Sequence, residues 1–320
     1  KADSRLSRLK SFHKVCLGRF HNRTMINAII LSKDKACQLD LLLTSIQRNS
    51  SNLFNIKVIY ESSNNSFEQG YNKVKEKFYY KNRHGLDFPV RWYQRSKKNL
   101  SLDVLKALDD SVDLSCVFND ENILFSNPPS YKKIVSFFRK EPITALSLRI
   151  GDNTVIQNPY SIDKYFIDKP EDFSLVDEDF VAWDASKLEP FTNFAMPFSH
   201  NGHIYTTKLI KYVLKNTEVD SIETFETSLQ KDLYSGVYKG MIPPFMSCLK
   251  KSILVTNSAK KISDPEDFEH KFDTSVFSVN ERYLNNYEID YESFDFNKIS
   301  KPFQEHVTRF RRENNMQHGY

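Results

Sequence analysis

The sequence predicts an α/β fold built on a mainly parallel, Rossmann-like sheet, and three observations predict it. Short apolar runs alternate with segments of helical periodicity as far as Phe118. The first run is continuous rather than alternating, the pattern of a strand buried on both faces of a parallel sheet. Three of the runs stop at polar clusters, and in such sheets ligands bind beyond the carboxyl ends of the strands.

Taken in order, residues 25–31 form the first apolar run, closed by Ser32-Lys33-Asp34. Leu39, Leu42, Leu43 and Ile46 recur at helical spacing over 36–48. A second strand is expected at 56–60, ending in Glu61-Ser62-Ser63, with a helix at 67–78. A strand at 90–93, a helix at 102–108 and a strand at 114–118 follow, the last running into Asn119-Asp120-Glu121-Asn122. This β-α-β-α-β-α-β order fits right-handed crossovers over a parallel sheet. Further on, 131–139 reads as an amphipathic helix and 143–150 as a strand. Residues 152–192 read as acidic loops over the active face, 204–214 as a helix and 253–256 as a strand. Residues 263–271 are a charged connector, and the remainder reads as helical and charged. Residues 1–23 are basic and polar, a helical arm or linker.

Composition narrows the function. At 320 residues, with 40% hydrophobic and 27% charged, the chain suits one large α/β domain with an appendage. Its 25 Phe and 16 Tyr supply an aromatic core. A net charge of +4 argues against a nucleic-acid partner, which asks for a stronger basic face. Arg309, Arg311 and Arg312, with Lys301 and His306 upstream, read as a solvated helix face or as a weak attraction to anionic headgroups. Cys16, Cys37, Cys116 and Cys248 form no C-x-x-C pair, which implies a reducing compartment and no disulfide framework. No run approaches the ~20 apolar residues of a membrane span. The expected location is cytoplasmic, with peripheral contact at the inner membrane face left open. Neither G-x-G-x-x-G nor G-x-x-x-x-G-K-S/T occurs, so dinucleotide and P-loop folds lose ground.

The segment Cys116-Val117-Phe118-Asn119-Asp120-Glu121-Asn122 carries the chemistry. Carboxylates at the end of a core strand are costly unless they bind something. A divalent ion, Mn²⁺ or Mg²⁺, holding a diphosphate is one such partner, because these ions take oxygen ligands and need few from the protein. An ordinary Asp/Asn-rich turn is the other reading.

The segment resembles the strand and Asp-x-Asp motif of glycosyltransferases of the GT-A fold, and the chain is similar to a bacterial, family-2-like group of them. The resemblance rests on Ile29-Ile30-Leu31-Ser32-Lys33-Asp34, on Val58-Ile59-Tyr60-Glu61-Ser62-Ser63 with Gly70-Tyr71, and on Leu146-Ser147-Leu148-Arg149-Ile150-Gly151 with Trp183-Asp184. Pro197-Phe198-Ser199-His200-Asn201-Gly202-His203 and Tyr283 to Asp290, with Gln304-Glu305, complete it over residues 25–312. It implies a GT-A domain over 24–260, with a nucleotide-sugar-binding half at 24–126 and an acceptor half at 127–260. A C-terminal helical extension follows at 261–320.

The implied reaction is an inverting, metal-assisted transfer from a nucleotide-sugar donor to a glycan or glycolipid acceptor, in surface polysaccharide synthesis. Asp120, Asn122 and His203 would stand at the metal. Ser32, Asp34, Glu61, Lys97, Asp120 and Arg149 would bind the nucleotide-sugar. The acceptor would meet Trp183 and Asn201. Glu226 and Asp184 are the catalytic candidates, with Glu223 a further candidate base. Asn122 and Asn201 stand where the group has Asp, and an amide is no base. That motivates the alternative, a non-catalytic GT-A-like domain binding a glycan or a protein partner in a larger assembly.

Overall fold

The computed structural model describes residues 25–50, 52–83, 88–95, 99–154, 156–157, 166–167, 170–234, 242, 245–257, 275–303 and 309–312. The expected arm at 1–23, the connector at 263–271, Cys16, Lys97, Gln304, Glu305 and His306 lie outside the described residues.

Strands β1 (Ile26–Lys33), β2 (Phe54–Glu61), β3 (Val90–Gln94) and β4 (Leu114–Asn119) alternate with helices α1 (Ala36–Ser50), α2 (Asn65–Arg83) and α3 (Leu100–Ala107). The short β5 (Asn122–Leu124), α4 (Tyr131–Lys140) and β6 (Ala145–Ser147) follow. Then come β7 (Ile156–Gln157), β8 (Phe166–Ile167), β9 (Ser174–Leu175), β10 (Phe180–Asp184) and β11 (His203–Thr206). Helices α5 (Thr207–Asn216) and α6 (Phe225–Tyr234) precede β12 (Phe245–Leu249) and β13 (Leu254–Thr256). The described chain closes with α7 (Val276–Leu284), β14 (Tyr287–Ile289) and β15 (Phe310–Arg312).

Nine strands form the central sheet in the order β3-β2-β1-β4-β11-β6-β12-β10-β9. β3, β2, β1 and β4 are mutually parallel. β11 runs antiparallel between β4 and β6, β12 is parallel to β6, and β10 is antiparallel to β12. The α/β, Rossmann-like class read from the sequence is the one observed. The sheet is buried on both faces: along β1, Ala28 and Ile30 enter one core while Ile29 and Leu31 enter the other. α1, α2, α4 and α7 cover the first face; α3, α5 and α6 cover the second. Side-chain caps start several of these helices: the oxygens of Asn99, Ser130, Thr206 and Ser275 accept from backbone N–H groups of the first turns.

Four expectations need correction. The strand expected over 143–150 stops at Ser147, because its hydroxyl accepts from Arg149 N at 3.2 Å and Ile150 N at 3.1 Å and turns the chain. Residues 204–206, expected as the start of a helix, belong to the strand His203–Thr206, and the helix starts only after Thr206 caps it. The acidic stretch 152–192 contains a sheet strand, β10, paired with β12. The C-terminal extension is not simply helical: among the described residues a nine-residue helix is followed by antiparallel β14 and β15, which puts Arg311 and Arg312 on a strand.

Candidate functional site at the carboxyl edge of the sheet

Parallel pairing lines up the ends of three adjacent strands. Leu31 stands opposite Asn119, and Lys33 opposite Glu61. Just beyond, Asp34 takes φ 59°, a left-handed conformation that Asp tolerates better than most residues. Its N–H donates to the Glu61 carbonyl at 3.1 Å and its carboxylate accepts from Ser63 N at 2.7 Å, which ties the two strand ends together. The Glu61 carboxylate pairs with Arg95, whose other arm reaches the Asp220 carbonyl.

Asp120 sits in the notch between β1 and β4, 5% exposed. It accepts from Lys33 N at 3.2 Å and from the Ser32 hydroxyl, which is itself 2.7 Å from the Tyr71 hydroxyl. Burial pushes the Asp120 carboxyl up to about 7, against the pull of Lys35. Lys35 Nζ rests 2.6 Å from Glu121, and Lys33 Nζ lies 3.0 Å from Glu223. Two ammonium groups therefore flank the notch.

Asn122 is turned inward. Its Oδ1 accepts from Asn119 N at 3.0 Å, and its Nδ2 donates to Asn201 Oδ1 at 3.1 Å and to Thr256 Oγ1 at 3.0 Å. Thr256 donates to the same Asn201 oxygen at 3.1 Å. Asn201 Nδ2 in turn donates to Glu226 Oε1 at 2.8 Å. That carboxylate also takes His200 N at 3.2 Å and the Ser199 hydroxyl. Burial alone would raise the Glu226 pKa. The His200 ring, the Arg149 guanidinium and these donors outweigh burial and hold the carboxyl below its ordinary range. The turn depends on Gly202, at φ 73°, where a Cβ would stand 2.2 Å from Leu254 Cδ2.

Arg149 and His203 lie within electrostatic reach of Glu226, both buried. Burial pulls Arg149 down to about 10 and, with Arg149 adding to it, pulls His203 down to about 3. At neutral pH the guanidinium is thus charged and the imidazole neutral.

The remaining candidates are placed elsewhere. Asp184 ends β10 opposite Phe245, the first residue of β12. β12 runs parallel to β6, so Asp184 stands at the amino edge of the sheet, away from Asp120, and its carboxylate accepts from Ser186 N at 3.0 Å. The strand reversal at β10 removes it from the catalytic candidates. Trp183 is 2% exposed and donates to the Phe194 carbonyl at 2.7 Å within a small core of its own, so it offers no face to an acceptor. Sequence reading did not single out Lys35, Tyr71, Arg95, Ser199 or Thr256. Tyr71 and Ser199 lie in segments that carry the resemblance and Lys35 directly follows the polar cluster Ser32-Lys33-Asp34, whereas Arg95 and Thr256 carried no local signal.

The proposed metal trio does not fit a metal as it stands. Asn122 Oδ1 already accepts from Asn119 N while its Nδ2 is held by Asn201 and Thr256, and the positive field of Arg149 reaches His203. Among the described residues no three His, Cys, Asp or Glu side chains could hold an ion together. Asp120 alone offers a carboxylate.

No family profile matches the chain, and no curated protein matches it in sequence. Solved structures resemble it distantly. One is S. aureus TarS 1-349 in complex with UDP, at TM-score 0.44 and 14% identity, over 82% of this chain and 66% of that one. Against another TarS structure the match spans 37% of that chain. A second is 4-diphosphocytidyl-2C-methyl-D-erythritol synthase from Anaerococcus prevotii DSM 20548, at TM-score 0.39 and 15% identity, over 83% and 98%. A third is the mannosyltransferase PcManGT from Pyrobaculum calidifontis in complex with GDP-Man and Mn²⁺, at TM-score 0.29 and 10% identity, over 48% and 46%. Among the described residues no helix is long and apolar enough to cross a membrane.

Proposed function

We propose that this chain binds a nucleoside-diphosphate-sugar at the carboxyl edge of its sheet and transfers the sugar to a glycan or glycolipid acceptor. The observation that carries the reading is the convergence on one notch of Asp120, Ser32 and Asp34, the Glu61–Arg95 pair and the ammonium groups of Lys33 and Lys35. A nucleotide would lie across the β1 and β2 ends, with Asp34 and Glu61 toward the ribose and base. Lys33 and Lys35 would meet the diphosphate, which forms charge-assisted bonds with ammonium groups. A Mn²⁺ or Mg²⁺ ion arriving with the diphosphate would find Asp120. Glu226, ionised and next to the Asn201 turn, is the candidate base that takes the proton of the acceptor hydroxyl, and attack from the opposite face inverts the anomeric carbon. Surface polysaccharide assembly at the cytoplasmic face of a membrane is the setting this chemistry fits.

A thermal-shift panel of UDP, GDP, CMP, dTDP and their sugars, with Mn²⁺ and with EDTA, tests the reading. Selective binding raises stability by about 2.7 kcal/mol at a hundredfold excess over Kd. Loss of that shift in Asp120→Ala supports the site, and an unchanged shift sinks it. A shift that survives EDTA assigns the charge role to the lysines.

The closed Asn122–Asn201–Thr256 knot favours a second reading, a non-catalytic domain that binds a glycan or a protein partner. It expects no turnover with any donor in the panel. Robust wild-type transfer disposes of it, and transfer gained only in Asn122→Asp/Asn201→Asp supports it.

A further inference from the structure

Two side chains within electrostatic reach of Glu226 are buried with hydrogen-bonding atoms unmatched. Arg149 is 1% exposed and His203 0%. The Arg149 guanidinium donates through Nη2 to Asn193 Oδ1 at 3.2 Å and lies 4.0 Å from the centre of the Phe303 ring. Its Nε and Nη1 have no partner among the described residues. His203 Nδ1 is 3.3 Å from the Pro197 carbonyl oxygen, and its Nε2 likewise has no partner. A carbonyl only accepts, so the ring proton resides on Nδ1 and Nε2 presents a bare lone pair. The two residues are neighbours in the fold: His203 pairs with Ser147, and Leu148 N donates to the Gly202 carbonyl, so the chain at 149 runs alongside 201–203.

The unmatched set is therefore two donors on a cation and one acceptor on a neutral ring. An anion would satisfy the donors but face the His203 lone pair and the nearby Glu226 carboxylate. A cation would satisfy the lone pair but face the guanidinium. A neutral hydroxyl satisfies both, because it accepts and donates at once. We propose that Arg149 and His203 form a buried hydroxyl-reading pair, in which Arg149 donates to, and His203 Nε2 accepts from, a hydroxyl of the hexose carried by the nucleotide. The pair rests on the nucleotide-sugar reading for how the hexose arrives. It moves Arg149 away from the phosphates and His203 away from the metal. Desolvated polar atoms left unpaired penalise a ligand lacking the hydroxyl, which makes such a pair a determinant of sugar specificity.

The test uses the full chain, UDP and GDP, their hexose conjugates, and free hexoses at tens of millimolar. Wild type is expected to bind the cognate nucleotide-hexose about tenfold or more tighter than the bare diphosphate, and a conjugate deoxygenated at the read position no better than the diphosphate. His203→Asn keeps a donor for the Pro197 carbonyl and deletes Nε2. It should abolish the hexose increment and leave diphosphate affinity unchanged. His203→Gln, which returns an acceptor near the Nε2 position, should restore part of it. Should His203→Asn fail to fold, Arg149→Lys is put through the same comparison and should lose the increment. Equal weakening of diphosphate and conjugate, or no change in either, overturns the assignment. If no nucleotide binds, the transferase reading falls and the free hexoses decide. Stabilisation of wild type but not of His203→Asn keeps the pair, and no stabilisation of either overturns it.

Discussion

Behind the sheet, Lys77 of α2 lies 2.7 Å from Asp40 and 2.7 Å from Glu288. The Tyr283 hydroxyl donates to Asp40 at 2.9 Å, and Arg311 reaches Glu288 at 2.7 Å. At the carboxyl edge, Arg149 is buried more deeply, and among the described residues its side chain makes a single hydrogen bond. Taking a cation out of water costs several kcal/mol unless partners replace the solvent. The first cluster meets that cost with residues of its own chain, and so pins the C-terminal segment to α1 and α2. The second leaves it unmet beside the strand ends where ligands bind in folds of this class. A buried charge completed by the fold marks an anchor, and one left incomplete marks a place for something else.

The largest test of this contrast is Lys77→Met. It removes the cation that two carboxylates share, leaving Asp40 only its hydroxyl donors and Glu288 only Arg311 among the described residues, and the loss is expected to be about 3 kcal/mol in urea unfolding. A loss under ~1 kcal/mol would show that the anchor is dispensable. Asn122→Asp comes next. It removes both Nδ2 donors and sets a carboxylate against Asn201 Oδ1, and about 2 kcal/mol of destabilisation is expected in the same assay.

Glu288→Gln is smaller and depends on pH. Burial would raise the Glu288 pKa, but Lys77 and then Arg311 outweigh it and hold the carboxyl below its ordinary range. A carboxylate depressed on folding stabilises above the unfolded pKa, about 4.3, and that stabilisation is lost as pH falls through the lower folded value. Wild type should therefore exceed Glu288→Gln by about 1 kcal/mol at neutral pH. The gap should close in acid below pH ~4, and a gap that stays constant would remove the ion pair from the explanation. Arg149→Met is expected to have the smallest effect, within about 1 kcal/mol of wild type or stabilising, since it deletes an unmatched charge and keeps the stem over Phe303. A loss as large as that of Lys77→Met would erase the distinction between the two clusters.

The half of the fold built from β1 to β4 is legible because each of those strands carries a mainly apolar stretch, and β1, β2 and β3 are each followed directly by a helix. The other half depends on partners far along the chain. β10 is a strand because β12 lies against it, and nothing local at Phe180–Asp184 reports a pairing with Phe245–Leu249. Ile204 and Tyr205 blend into the apolar stripe of the helix that follows, so the local pattern extends that helix over most of β11. At the site, Asp120 could be placed from its strand alone. Asp184 could not, because the direction of a strand is a property of the sheet. The role of Asn122 was hidden for the same reason: its partner Thr256 is 134 residues away.

Thr256 N donates to the Pro302 carbonyl at 3.0 Å, and its bridge to Phe303 brings that ring over Arg149. The last strand of the central sheet ends at Leu249, and the aromatic wall over Arg149 comes more than fifty positions later in sequence. Synthesis runs from the amino terminus, and N-terminal units fold first. On the ribosome the sheet can therefore assemble while the arginine still lies open to water. The aromatic cover of Arg149 would then be added after the sheet has formed, so the nascent chain would pass through a stage in which the sheet stands and the guanidinium is not yet walled in.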